Sequence, residues 1–138
     1  MDAPRAKFQP VDPGFAARVR ASFGRQKAMA LIGAELTVVE PGYAEIALPY
    51  RDDLTQQKGY VHGGVVGMIA DSACGYAAYS LMPASASLVT VEYKINMLAP
   101  ARRGLLVARG EVYAEDGKPV ATMLQTLMML PDTPDTPE

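Results

Sequence analysis

Between residues 59 and 81 the chain is apolar or small at nearly every position. Val65, Val66, Met68, Ile69, Ala70, Ala73, Cys74, Ala77 and Ala78 leave no continuous polar face. A helix apolar all round is either wrapped by its own protein or set in a membrane. Asp71 in the middle, the pair Gly63-Gly64, and Gly67 and Gly75 leave no uninterrupted apolar run of about 20 residues. The pattern therefore predicts a central helix packed against a sheet built by the other segments.

Those segments alternate at two different periods. Over residues 13–30, Phe15, Val19, Phe23 and Met29 recur with Arg18, Arg20, Arg25 and Lys27 between them, which predicts one amphipathic surface helix. Residues 34–40 and 43–49 alternate at period two around Pro41-Gly42, a strong turn signal, and so predict a hairpin. Residues 51–59 are polar and read as a loop leading to the central helix. After it, residues 88–98, 105–114 and 119–130 predict three more strands, the last two joined by a hairpin turn at Asp116-Gly117. The order helix, two strands, long helix, three strands is α+β: a five-stranded, mostly antiparallel sheet curled around one buried helix. One domain over residues 13–130 is expected, after a loose segment at 1–12 and before a disordered acidic, proline-rich tail at 131–138.

Composition narrows the function classes. A net charge of −2, with no basic cluster longer than Arg102-Arg103, gives no field for nucleic acid. One cysteine excludes an intrachain disulfide, and one cysteine with one histidine makes a Cys/His metal site within the chain an unlikely expectation. No metal and no cofactor are expected. The N-terminus lacks the basic-then-apolar order of a signal peptide, so a soluble cytoplasmic protein is expected, without a membrane partner.

The candidate chemistry lies on the central helix. At its start, His62-Gly63-Gly64 places unpaired backbone N–H groups at the positive end of the helix dipole. Glycine there lets a carbonyl approach the backbone, an arrangement suited to holding a developing oxyanion; a plain tight turn is the competing reading. Asp71 is a carboxylate in apolar surroundings. It is either paired structurally, with a backbone N–H or an arginine, or it is a general base or nucleophile. Eight residues of helix put about 12 Å between Asp71 and Gly63, so one copy's carboxylate cannot serve a carbonyl held by its own Gly63. Two antiparallel copies of the helix in a C2 dimer would bring Asp71 of one to Gly63 of the other. His62 either hydrogen-bonds a substrate carbonyl or water, or shapes the helix start. Gln56 either positions a water or carbonyl, or is an ordinary loop glutamine. Thr90, in an apolar strand, is either a plain β-former or a hydroxyl facing the site. Arg102 and Arg103 read as a solvated turn or as a contact for a phosphate.

Gln56, Gly59, His62-Gly63-Gly64 and Asp71 stand at the spacing of the signature of the hotdog-fold acyl-CoA thioesterases, in the PaaI-like branch of the 4-hydroxybenzoyl-CoA thioesterase superfamily. Residues 88–93 and 100–104 also resemble the family, and the likeness covers about residues 30–130. The resemblance implies a hotdog fold, paired through a continuous sheet into a homodimer and often a homotetramer, with active sites between protomers. It implies hydrolysis of an acyl-CoA to a carboxylic acid and free CoA, CoA being part of the substrate. Asp71 would activate water or attack the thioester, and the Gly63 N–H would polarise the carbonyl. Gln56 and His62 would assist, Thr90 would help hold the water, and Gly64, Arg102 and Arg103 would contact substrate. PaaI-type sequences usually have Asn where this chain has Gln56, and the aryl-CoA branch with Gln there usually has Glu rather than Asp; it also often has Ser or Thr at the position of Gly75. A hydratase or dehydratase acting on acyl thioesters, and a non-catalytic acyl-CoA sensor, are the alternative readings.

Overall fold

The computed structural model describes residues 8–111, 121–130, 132 and 135. In chain order they form α1 (Phe15–Arg25), α2 (Lys27–Ile32), β1 (Glu35–Glu40), β2 (Tyr43–Pro49), a short 3-10 turn (Asp52–Leu54), α3 (Gly63–Tyr79), β3 (Ser87–Met97), β4 (Leu105–Glu111) and β5 (Ala121–Leu130). The α+β class, the antiparallel pairing and the single long helix follow the alternation of periods along the sequence. The strands form two ladders rather than one five-stranded sheet: β1-β2-β4 and β3-β5, antiparallel throughout. No ladder joins β4 to β5 among the described residues, and the Asp116-Gly117 turn expected between them lies outside those residues.

The first helix differs from expectation. One amphipathic helix over residues 13–30 was the reading of the pattern, but Gln26 adopts an extended conformation (ψ 95°) and separates α1 from α2. The Gln26 side chain is instead engaged by α3, through Tyr76 and Ser72. Tertiary hydrogen bonds have overridden a helical pattern that runs on as far as Met29. The central helix is also shorter than residues 59–81, because Gly59 takes a left-handed conformation (φ 77°) and His62 is the N-cap.

The core lies between α3 and the β1-β2-β4 sheet, closed on one flank by α1 and α2. Val19, Met29, Ile46, Leu48 and Ile69 are all at most 2% exposed, and Ala44 and Ala73 are fully buried. Gly110 on β4 sets how closely the helix can seat. A methyl group there would stand 2.0 Å from the Ala73 carbonyl oxygen, so backbone meets backbone and only glycine fits. Ser80 ties the far end of α3 to the β1–β2 turn, its hydroxyl donating to the Ala77 carbonyl and accepting from the Gly42 N–H at 2.8 Å. Arg18 caps the same end. Its Nη2 donates to the Tyr79 and Met82 carbonyls, and the guanidinium lies 4.2 Å above the Tyr79 ring. A cation at a helix C-terminus also opposes the negative end of the helix dipole. No helix among the described residues is long and apolar enough to cross a membrane.

The other side of α3 faces β3. Gly63, Gly67, Asp71 and Gly75 are four apart and form one stripe along the helix. Opposite them, in antiparallel order, come Met97, Tyr93, Thr90 and Leu88. Met97 Cε and Leu88 Cδ1 would lie 3.6 and 3.8 Å from methyl groups on Gly63 and Gly75, and the Tyr93 hydroxyl 3.1 Å from one on Gly67. A β-bulge between Thr90 and Glu92 makes this possible, since the extra residue shifts the side-chain phase. Thr90 and Tyr93, which a regular strand would place on opposite faces, therefore both meet the helix.

Candidate functional site

The expected residues fall into two groups, one at the start of this stripe and one eight residues further along it. The first is the start of α3. The loop before it is pinned by the Thr55–Val61 bridge and by the Val61 N–H donating to the Ala101 carbonyl at 2.9 Å. Gln56 sits in that loop. Its N–H donates to the Tyr60 carbonyl, its carbonyl accepts from Gly59, and its side-chain oxygen accepts from the Lys58 N–H. His62 is exposed, and its Nδ1 accepts from the Gly64 N–H at 2.9 Å. An accepting Nδ1 leaves Nε2 to carry the ring proton of neutral imidazole. The Gly64 donor is thus used, whereas the Gly63 N–H is exposed and finds no acceptor among the described residues. Arg102 lies beside this helix start, its Nη2 donating to the Tyr60 hydroxyl at 2.9 Å and its guanidinium 4.7 Å from that ring's centre. Arg103 is exposed on the same turn.

Asp71 and Thr90 form the second group. The Thr90 hydroxyl donates to Asp71 Oδ1 at 2.8 Å, and both residues are half-buried. They line a cleft of about 450 Å³ between α1, α3 and β3. Eight helical residues, about 12 Å, separate them from the free N–H at Gly63. The arrangement supplies a held carboxylate in one place and an anion-attracting helix end in another.

Four residues of this cleft did not stand out in the sequence. Gln26 donates from Nε2 to the Tyr76 hydroxyl at 2.9 Å and accepts at Oε1 from Ser72 at 3.2 Å, while Ser22 and Tyr76 share a hydrogen bond of 3.1 Å. Ser72 and Tyr76 are one and five places beyond Asp71 on the predicted helix, a signal that was available. Gln26 gave none, since it fell inside a smooth helical pattern. Burial pushes the Tyr76 phenol up, partly offset by its hydrogen bond with Ser22, and the nearby Asp135 charge raises it further. Asp135 itself sits at the cleft's rim, paired with Arg25 at 2.8 Å. Burial first, and then the Asp71 charge, raise the Cys74 thiol above its ordinary range.

A long helix seated on an antiparallel sheet, with its glycine-rich start and its outer side against a flanking strand, is the layout of a hotdog fold. The chain belongs to the thioesterase superfamily, whose family profile matches residues 58–118. It is similar to a thioesterase family protein of Silicibacter pomeroyi at 40% identity, over 86% of this chain and 99% of that one, with a TM-score of 0.78. The PaaI protein of E. coli, from the phenylacetic acid degradation operon, shares the fold at 18% identity and a TM-score of 0.75, over 86% of this chain and 95% of that one. A 1,4-dihydroxy-2-naphthoyl-CoA hydrolase of Listeria monocytogenes is 32% identical over 80 residues, 58% of this chain and 65% of that protein. A Saccharolobus solfataricus protein named as an esterase is 36% identical over 84 residues. The chain spans about half the length of that archaeal relative, 55%.

Proposed function

We propose that this chain is a cytoplasmic acyl-CoA thioesterase of the PaaI-like kind, acting as a homodimer or a dimer of dimers. The observation that carries the reading is the Asp71 carboxylate held by Thr90 at 2.8 Å in a cleft, on the same helix as an unoccupied N–H at Gly63. Because about 12 Å separate them, a working site takes Asp71 from one protomer and Gly63 from the partner subunit. β3 supports this pairing. It has one ladder partner among the described residues, and Val89 and Val91 on it are 49% and 55% exposed. In this reading the two ladders belong to one five-stranded sheet wrapped around α3, extended by a second copy.

In the reaction, the thioester carbonyl lies against the Gly63 N–H, where the helix dipole favours negative charge on oxygen. Asp71, with Oδ1 fixed by Thr90, uses Oδ2 to take a proton from water as the resulting hydroxide adds to the carbonyl carbon. The tetrahedral intermediate then expels CoA as the C–S bond breaks, and the thiolate takes up the proton from Asp71. The competing route, attack by Oδ2 on the carbonyl to give an anhydride hydrolysed by water, uses the same groups. If water opens the anhydride at the Asp71 carbonyl, single turnover in ¹⁸O-water leaves label in Asp71, which the general-base route never does. His62 holds the helix start in shape through Gly64. Gln56 orders the loop in front of it, and Arg102 and Arg103 meet the CoA phosphates.

The test is release of free thiol from a panel of aryl-, short-, medium- and long-chain acyl-CoAs, by the wild type and by Asp71→Ala. Release that disappears in a folded Asp71→Ala protein is the expected result. A variant that retains wild-type rates on every accepted substrate would sink the mechanism.

A further inference from the structure

The Tyr93 hydroxyl is a polar group on the seam between α3 and β3 that the reaction as described does not use. It lies 3.1 Å from where a methyl group on the buried Gly67 would stand, so the glycine makes room for it. It has no hydrogen-bond partner among the described residues, and Tyr93 is 45% exposed. Thr90 is committed elsewhere. Its one hydrogen goes to Asp71 Oδ1, whereas the attacking water gives its proton to Oδ2. A water at Oδ2 keeps a second hydrogen, and an acceptor for that hydrogen fixes the direction of the attacking lone pair.

We propose that Tyr93 is a further catalytic residue, which holds the attacking water together with Asp71 by accepting its second hydrogen. The proposal rests on the thioesterase reading above and deepens it. Gly67 precedes Asp71 by one helical turn, and Cβ positions four residues apart on a helix are about 5–6 Å from each other. Helical side chains lean toward the N-terminus, so the Asp71 carboxylate leans toward Gly67 and the hydroxyl above it. The Tyr93 hydroxyl makes no direct bond to Asp71. One water joins two oxygens about 5–6 Å apart, at ~2.8 Å from each, and that is the gap in question. The two-protomer arrangement leaves this place open to water. Antiparallel helices that set Asp71 against the partner subunit's Gly63 also set Gly67 against its own copy, so Tyr93 lies on the twofold side of the reacting carbon. The cleft lies on the other side, past Asp71 toward Ser72 and Tyr76. Acyl group and water then occupy opposite sides of the thioester.

The experiment follows Tyr93→Phe, which keeps the ring and removes the hydroxyl, on an acyl-CoA that the wild type hydrolyses. Thiol release is measured in buffer and in buffer containing methanol, and the products are separated into acid and methyl ester. Methanol gives its single O–H hydrogen to Asp71 and has none left for Tyr93, so its attack, with CoA leaving as before, does not need the tyrosine. In Tyr93→Phe, kcat for hydrolysis is expected to fall about tenfold with KM within about twofold, and the ratio of methyl ester to acid to rise by a similar factor. A merely structural role for Tyr93 would slow both products alike. Gly67→Ala presses a methyl group against the same hydroxyl from a better helix former, so it should raise the ratio too, and it serves if Tyr93→Phe folds poorly. Wild-type kcat in Tyr93→Phe, or a product ratio unchanged in the folded variants, would overturn this proposal and leave the thioesterase reading standing. No thiol release by the wild type from any acyl-CoA would overturn both.

Discussion

Thr90 and Asp71 meet across the space between β3 and α3, hydroxyl to carboxylate at 2.8 Å, because the bulge after Thr90 keeps both it and Tyr93 on the helix side. The hydroxyl fixes one carboxylate oxygen and orients the other. Thr90→Val keeps shape and strand preference but removes that donor. We expect kcat to fall about ten- to a hundredfold with KM little changed, as for a group that aligns a base rather than binds substrate. Thr90→Ser should recover most of the loss. An equal rise in KM with kcat intact would place Thr90 in binding instead.

Gly110 predicts a stability effect. Any side chain there collides with backbone at Ala73 and Cys74, which cannot move aside as a flexible side chain would. Gly110→Ala is expected to cost about 3 kcal/mol or more and to lower the melting temperature by about 10 °C, measured by calorimetry. A change of less than about 2 °C would mean that the helix and β4 sit further apart than described.

The Asp12–Arg18 pair predicts an acid-sensitive component of stability. The Gly14 N–H and then the Arg18 side chain hold the Asp12 carboxyl below its ordinary value. A depressed folded-state pKa means that the contribution is fully present above the unfolded value, about 3.9, and is lost as pH falls through the lower folded value. Urea unfolding of wild type and Asp12→Asn should therefore differ at pH 6, and the difference should shrink as pH falls below the ordinary carboxylate value. A gap that persists at low pH would assign the loss to something other than ionisation.

Cys74 reports on the charge of its neighbour. With its thiol raised by burial and by Asp71, it should react with a maleimide at pH 8 at least about tenfold more slowly than a free thiol. Asp71→Asn removes the second of those two causes, so the thiol's titration should move down in that variant while remaining above the ordinary range. No movement would mean that burial alone sets it.

Much of this was legible in the sequence because it is periodic or compositional. The all-round apolar helix, its glycine-rich start and its central acid are features of one continuous stretch, and helix rise alone placed Gly63 and Asp71 too far apart to act together. The alternation of β1 and β2 around Gly42 was equally plain. What stayed hidden depends on long-range partners. Gln26 breaks a helix whose local pattern is unbroken, because Tyr76 and Ser72, some 50 residues later, compete for its side chain. The bulge on β3 sits in an apolar β-branched run that shows no irregularity, so the pattern alone leaves Thr90 free to face either side. Gly110 looked like any strand glycine until the helix backbone was set against it.

β3 also has a consequence for regulation by mass action. The strand whose Thr90 hydroxyl bonds Asp71 also carries the exposed Val91, so orientation and assembly share one element. Under the two-protomer arrangement a lone chain holds two half-sites and no complete one. Activity per mole of chain should then decline on dilution along the dissociation curve of the dimer. A bound acyl-CoA, touching both protomers, would shift that curve toward lower protein concentration through linkage.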